Sequence, residues 1–498
     1  MNDSRPSDIF NLSTYIDHLL EGKAGELEIT ALHQAFRNQR SVLGPQNQPC
    51  TAQVYQQLGI ALHNRGEYDP AAKCFQAALK IWEKLYPKDH ADTALTLDSL
   101  GMSLALLNDF ENAKQNLERA LQMRKRVLGV DAPELGASYL HLGVLQRMQG
   151  ALEDARVSFE RALQIFAGSV GKAHVLYSET LVESGLVLQK LGRTDEAGGR
   201  FMQALAIDQH RSGENSPEAA RDHTRLGELR QATQDYEAAA AHLQKALNIY
   251  RTIRPQDHQD VADAARRLGV VVQEMGDLPR ARELFEQALG IDERIYGKFH
   301  AVTARDANLL GGVLQAAGDL EDARQYFERA RKGWENSFGD EHLNTGAALS
   351  NLANVCLQQG DYEGARKHFE EALRFDESIF GREHLIVADD AANLGSLLLQ
   401  MGKPAEAKAY FERAMAIRRA AWGEEDARLA RDANDLGSAL QTLGDFSAAQ
   451  VQFQRALRLD EAAQGSDHAD VARDLNNLGG ILHALGDLQQ ASAYFQRA

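Results

Sequence analysis

Cysteine is scarce: Cys50, Cys74 and Cys356 are the only three in 498 residues, and they form neither an even-numbered framework nor a metal-type spacing. That argues against a disulfide-built domain and a cysteine zinc module, and for a reducing compartment. No window is apolar over a membrane-spanning length, and the first residues, MNDSRPSDIF, lack a basic region followed by an apolar run. We therefore expect a cytoplasmic protein. Positive charge is short as well, with 54 Lys and Arg against 71 Asp and Glu, a formal charge of −17. Such a chain is a poor partner for nucleic acid or an anionic membrane, and its charge serves solubility.

Signatures of chemistry are also missing. Gly168 to Lys172 read GSVGK, but the six-residue spacing of a phosphate loop is absent, and Ala173 stands where Ser or Thr would follow. There is no His-Glu-x-x-His, no Cys-x-x-Cys and no glycine-rich dinucleotide turn. Asn2 and Asn11 fit a glycosylation pattern, which means little in an unsecreted chain. We expect no enzyme and no cofactor.

What the chain has in abundance is itself. A Leu-Gly pair or a close variant falls at Leu58, Leu100, Leu142, Ser184, Leu226, Leu268, Leu310, Leu352, Leu394, Leu436 and Leu478, a spacing of 42 residues without insertion or deletion. Thirteen residues after each stands an Ala, from Ala71 to Ala491, and seven further on a second, from Ala78 to Ala498. Between them lies Phe75, Phe159, Phe201, Phe285, Phe327, Phe369, Phe411, Phe453 or Phe495, with Leu117 and Leu243 in the other two copies. Two small residues let a neighbouring helix approach, and the large one fills the gap between them. This is the packing pattern of antiparallel helix pairs.

Leu-Gly, Ala-x-x-x-Phe and a closing Ala resemble the tetratricopeptide repeat, over residues 51–498. The period of 42 rather than 34, the missing closing Pro, the Gly-x-x-His-x-x-Val-Ala junction and the Asn-Asn-Leu before the Gly resemble the kinesin light chain type of repeat. The resemblance implies an all-α fold, a right-handed superhelical solenoid of about eleven antiparallel helix pairs, with one continuous core rather than several domains. It also implies binding of protein or peptide, and names no cargo.

Residues 1–50 lie outside the repeat. Ile9, Leu12, Tyr15, Ile16, Leu19 and Leu20 predict one amphipathic helix, and Leu27 to Leu43 a second around Leu32, Ala35 and Phe36. Covering the unpartnered face of the first repeat as a helical cap is their expected role. From residue 51 each copy predicts a first helix of about 15 residues, a tight turn and a second helix of about 18. Gly holds the turn in nine of eleven copies, and Asn108 and Gln234 replace it. Gly suits a left-handed residue there and Asn is tolerated, but Gln234 has no such excuse. Asp277, Asp319, Asp361, Asp445 and Asp487 follow the turn, placed to cap the second helix.

The junction between copies reads Gly-x-x-His at His174, His300, His342, His384 and His468, with Pro87 and Pro255 in place of the Gly before His90 and His258. Ala132, Ser216 and Asp426 replace the His. Seven histidines at equal intervals invite a metal reading. Successive copies stand two helix widths apart, on the order of 20 Å, whereas zinc ligands converge within about 2 Å of one ion. The expected role is a ring packed at the start of the first helix, and no metal.

The resemblance further implies that the first helices line the concave side. Their inward positions hold Arg221, Arg225, Arg266, Arg305, Asn308, Asn351, Asn354, Asn393, Arg431, Asn434, Arg473, Asn476 and Asn477. An Asn ladder can hold an extended backbone from both its donor and acceptor sides, and Arg favours carboxylates. In the bland reading, Asn bonds locally and Arg pairs with the neighbouring Asp306, Asp432 and Asp474. In the earlier copies the same positions hold Met102, Leu140, Val144, Val182 and Leu186, suited to an apolar or helical partner or to the N-terminal cap.

Ala498 falls in the middle of a second helix, where earlier copies continue. The expectation is therefore a longer natural protein. The function expected is a scaffold or adaptor whose groove holds an extended, acidic or polar segment of a protein partner. The rival is a sensing or autoinhibitory arm of an enzyme whose effector domain lies past residue 498. Self-association through the exposed C-terminal edge is a third expectation.

Overall fold

A computed structural model describes residues 48–339 and 343–498. Both helices expected before residue 44 lie outside the described residues, as does His342. The described residues form 22 helices and no strand, and the chain divides after Ile253 into two compact units. The first holds α1 (Gln48–Asn64), α2 (Tyr68–Leu85), α3 (Ala91–Leu106), α4 (Phe110–Leu128), α5 (Pro133–Met148), α6 (Leu152–Ser169), α7 (Val175–Lys190), α8 (Thr194–Ser212), α9 (Pro217–Ala232) and α10 (Tyr236–Ile253). The second holds α11 (Gln259–Glu274), α12 (Leu278–Tyr296), α13 (Ala301–Ala317), α14 (Leu320–Phe338), α15 (Leu343–Gln358), α16 (Tyr362–Phe380), α17 (Leu385–Gln400), α18 (Pro404–Trp422), α19 (Leu429–Leu443), α20 (Phe446–Gln464), α21 (Ala469–Leu485) and α22 (Leu488–Arg497). Within each unit every helix packs on the next, and neighbouring odd helices also touch, as α3 does α5 and α17 does α19.

Helix α16 shows why these segments fold as they do. Asp361 accepts the Gly364 N–H at 2.9 Å and caps its start. Ala365, Phe369, Ala372, Leu373 and Asp376 then fall on one buried stripe at helical spacing. Gly381 ends it with φ +83° and ψ 159°, a backbone region open essentially to glycine alone. The helix therefore stops where the sequence places that residue.

The invariant large residue is packed against the Gly of Leu-Gly. A Cβ on Gly395 would stand 2.8 Å from the Phe411 ring, and one on Gly479 would stand 2.6 Å from Phe495. Glycine is there to let a whole ring lie on the backbone of the first helix. Ala353 takes the position opposite Phe369 with both buried, so the contact has some give. Four of the five expected Asp caps form, at Asp277, Asp361, Asp445 and Asp487. Asp319 does not cap; Arg282 of the preceding pair takes its carboxylate at 3.3 Å.

Junction histidines do more than pack. Nδ1 of His90, His174, His258, His300, His384 and His468 accepts the N–H two residues on, at 3.1–3.3 Å, so each is the N-cap of its odd helix. Aromatic rings flank several, with Tyr86, Tyr296 and Phe380 stacked on His90, His300 and His384. Ser216 performs the same cap on Ala219. At Asp426 the carboxylate accepts the Arg428 N–H.

Candidate functional site

In the second unit the odd helices bring some of the expected residues together. Asn351 of α15 donates to Asn308 of α13 at 3.0 Å, and Asn477 of α21 donates to Asn434 of α19 at 3.1 Å. These positions of neighbouring odd helices therefore share one face. Arg305, Asn393, Arg431, Arg473 and Asn476 are exposed, and Asn308, Asn351, Asn354 and Asn477 are half-buried. Arg431 is the freest cation of the set: its side chain is 84% exposed and its nearest carboxylate, Asp435, lies 4.0 Å away. Together with Asp389, Ala392, Asn393 and Arg418 it lines a cavity of about 240 Å³.

Two of the expected residues are not available to a ligand. Arg266 is buried and gives its guanidinium to Asp263, Asp292 and Asp306. Asn434 is 7% exposed and donates to Asp474 at 2.7 Å. Both point between helices, onto a buried carboxylate of the next odd helix, Asp306 for Arg266 and Asp474 for Asn434. Arg305 and Arg473 stay at the surface but lean back toward Asp306 and Asp474, at 3.8 and 3.4 Å, as the bland reading expects. Arg221 and Arg225 belong to the first unit, where Glu218 and Glu228 lie 3.9 and 3.0 Å from them.

The odd-helix face of the first unit differs. Ile60, His63, Phe75, Ser99, Met102 and His141 line a cavity of about 210 Å³. Beside it, Asp98 is buried between Arg124 at 3.2 Å and His141 at 2.7 Å. Burial works against its charge, yet His141 and Arg124 together hold its carboxyl below the usual range. His141 is raised in turn: burial opposes its charge, and Asp98 outweighs that.

Sequence reasoning missed the buried carboxylates. Asp208, Asp292, Asp376 and Asp460 on even helices recur every 84 residues, and each faces an Asp fourteen residues on, at Asp222, Asp306, Asp390 and Asp474. All eight are buried. Burial, followed by the facing carboxylate, raises Asp390 to about 8, Asp292 to about 7 and Asp222 to about 8. For Asp474 burial leads as well and the value is about 6, with the Asn434 amide pulling it down. The 84-residue spacing was in the sequence, but reading it as burial needs a partner helix in place. Among the described residues no three His, Cys, Asp or Glu side chains gather as a metal site, and no helix is long and apolar enough to cross a membrane.

The tetratricopeptide repeat family model matches residues 51–126, 92–167, 176–252, 260–333, 307–378, 350–420, 387–462 and 428–498. No curated protein matches the chain. Among solved structures it is similar to the apo form of RapI, at 15% identity and TM-score 0.56 over 74% of this chain and 97% of that one. It is also similar to a STAND protein of Pyrococcus horikoshii with a tetratricopeptide repeat sensor, at 14% identity and TM-score 0.54 over 76% of this chain and 54% of that one. A Podosopora anserina protein of kinesin light chain type with nearly identical TPR-like repeats covers 42% of this chain and 99% of its own length at 20% identity, with a TM-score of 0.39 too low to carry an argument. Repeats of this kind generally mediate protein–protein interaction. With matches from residue 51 to residue 498, the chain belongs to the tetratricopeptide repeat family.

Proposed function

We propose that this chain is a protein-binding scaffold that holds an extended, acidic segment of a partner along the odd-helix face of its second unit. The observation that carries this is the Asn393–Arg431 cavity: an exposed guanidinium and an exposed amide at one concave spot. Arg431 presents donors to a carboxylate, while Asn354, Asn393 and Asn476 offer amide groups to a peptide backbone. Main-chain contacts of that kind give affinity with little regard to sequence, and the arginine adds the preference for acid.

A fluorescently labelled peptide of alternating Gly and Glu, titrated with the full chain, tests it by anisotropy. Binding should weaken as salt rises, and Arg431→Ala with Asn476→Ala should weaken it by roughly tenfold or more. Unchanged affinity in that double variant sinks the groove assignment. A second reading, a recognition arm of a larger enzyme, is compatible with the sensor role named for the P. horikoshii neighbour. It expects the intact natural protein to be heavier by a further domain.

A further inference from the structure

The four buried carboxyl pairs are not equally supported. At Asp292 and Asp306 the Arg266 guanidinium lies across both. At Asp460 and Asp474 the Asn434 amide donates to Asp474, and Arg473 reaches both carboxylates at 3.4–3.5 Å. At Asp208 and Asp222, Ser178 donates to Asp208 at 2.8 Å and Arg211 lies 3.3 Å away. Between Asp376 of α16 and Asp390 of α17 there is far less. Helix α15, which packs on α16, carries no Lys, Arg, Asp or Glu and offers the pair only the Ser350 hydroxyl, 3.4 Å from Asp390. From α17 and its N-cap come the like charge of Asp389 and, at a distance, His384. Arg418 of α18 is spent on Asp389 and Asp432.

Each carboxyl of this pair keeps a buried oxygen without a partner, Oδ1 of Asp376 and Oδ2 of Asp390. The two groups are within hydrogen-bonding reach of each other. Two ionised carboxylates at that range, away from water and cations, repel strongly, and one proton between them turns the repulsion into a hydrogen bond. Gly346 fixes the placement, since a Cβ there would stand 2.6 Å from Asp376 Oδ1. We propose that Asp376 and Asp390 form a proton-held latch between α16 and α17, closed while they share one proton and loosened when it leaves.

The direction follows from linkage. Asp390 binds its proton up to about 8 when packed, against an ordinary 3.8 when released. The latch is therefore at full strength below that ordinary value, weakens as pH rises, and is spent above about 8. Opening of α16 and α17 should rise up to tenfold per pH unit over that window and then level off, the reverse of ordinary acid denaturation. Asn351 and Asn393 sit on the helices that flank the latch, so its opening would alter their spacing.

Hydrogen exchange of the full chain, followed by mass spectrometry from about pH 5 to about pH 9 and corrected for base-catalysed intrinsic exchange, reads this directly. Peptides from 362–400 should lose protection with pH up to about 8; those from α12 and α13 should level off about one unit sooner, since Asp292 is raised only to about 7, and those from α14, which holds no such pair, should change much less. Asp390→Asn should abolish the slope, because the amide donates permanently to Asp376, and Asp376→Asn does the same from the other side should the first variant not fold. Ser350→Asn, which copies the donor that Asn434 gives Asp474, should move the levelling-off down by about two pH units. An equal slope in Asp390→Asn, or the same slope along the whole chain, overturns the latch.

Discussion

Single residues here are held to backbone conformations and caps more tightly than to chemistry. Gln234 has φ +60° and Asn108 +62°, the only described residues other than Gly on the left-handed side. Gln234 is exposed, and its side chain shows no compensating contact for that conformation. Gln234→Gly should therefore stabilise the first unit by about 1 kcal/mol, seen as a higher urea midpoint. Among the histidines, His384→Ala removes a cap and should cost about 0.5–2 kcal/mol, with His384→Asn recovering most of it. Equal losses in the two would mean that the ring's stacking on Phe380, rather than its Nδ1, matters. That capping role was only half legible: Gly-x-x-His stands in the sequence, but an imidazole accepting from the second residue of a helix is not a pattern composition reveals.

Helix pairs were legible almost completely, because the features that define them are repeated. Fixed Ala and Phe positions predicted which stripe packs, and Ala365, Phe369 and Ala372 or Ala407, Phe411 and Ala414 are at most 2% exposed. Phe411→Ala should cost about 3–5 kcal/mol in thermal or denaturant unfolding. Phe411→Leu should cost under about 1.5 kcal/mol, since Leu117 and Leu243 fill the same place in other copies. The candidate site was less legible for a geometric reason. Asn434 and Asn476 hold the same place in successive first helices and look equivalent in sequence, yet Asn476 is exposed while Asn434 turns toward the buried Asp474 of the next odd helix. Whether a polar side chain faces solvent or a neighbour depends on what the neighbour carries, and that is a property of two repeats at once.

At the scale of the whole molecule, each unit is a run of near-identical joints with a second rhythm laid over the first. In the second unit, joints holding an Asp pair, at Asp292/Asp306, Asp376/Asp390 and Asp460/Asp474, alternate with joints of another kind, Trp334 with Ala348 and Arg418 with Asp432. The copy that looks like a free-standing module is therefore only half of one. Excising residues 301–384 brings Asp390 and its helix after Asp292, under Arg266, and should leave a chain that still melts as one cooperative unit. Excising residues 301–342 instead sets Asp292 against Ala348 and takes from Arg266 one of the two carboxylates it spans, with a broadened, earlier transition in circular dichroism. By the same reasoning the length of this array can be edited, by an engineer or by unequal recombination of its gene, in steps of 84 residues far more readily than in steps of 42.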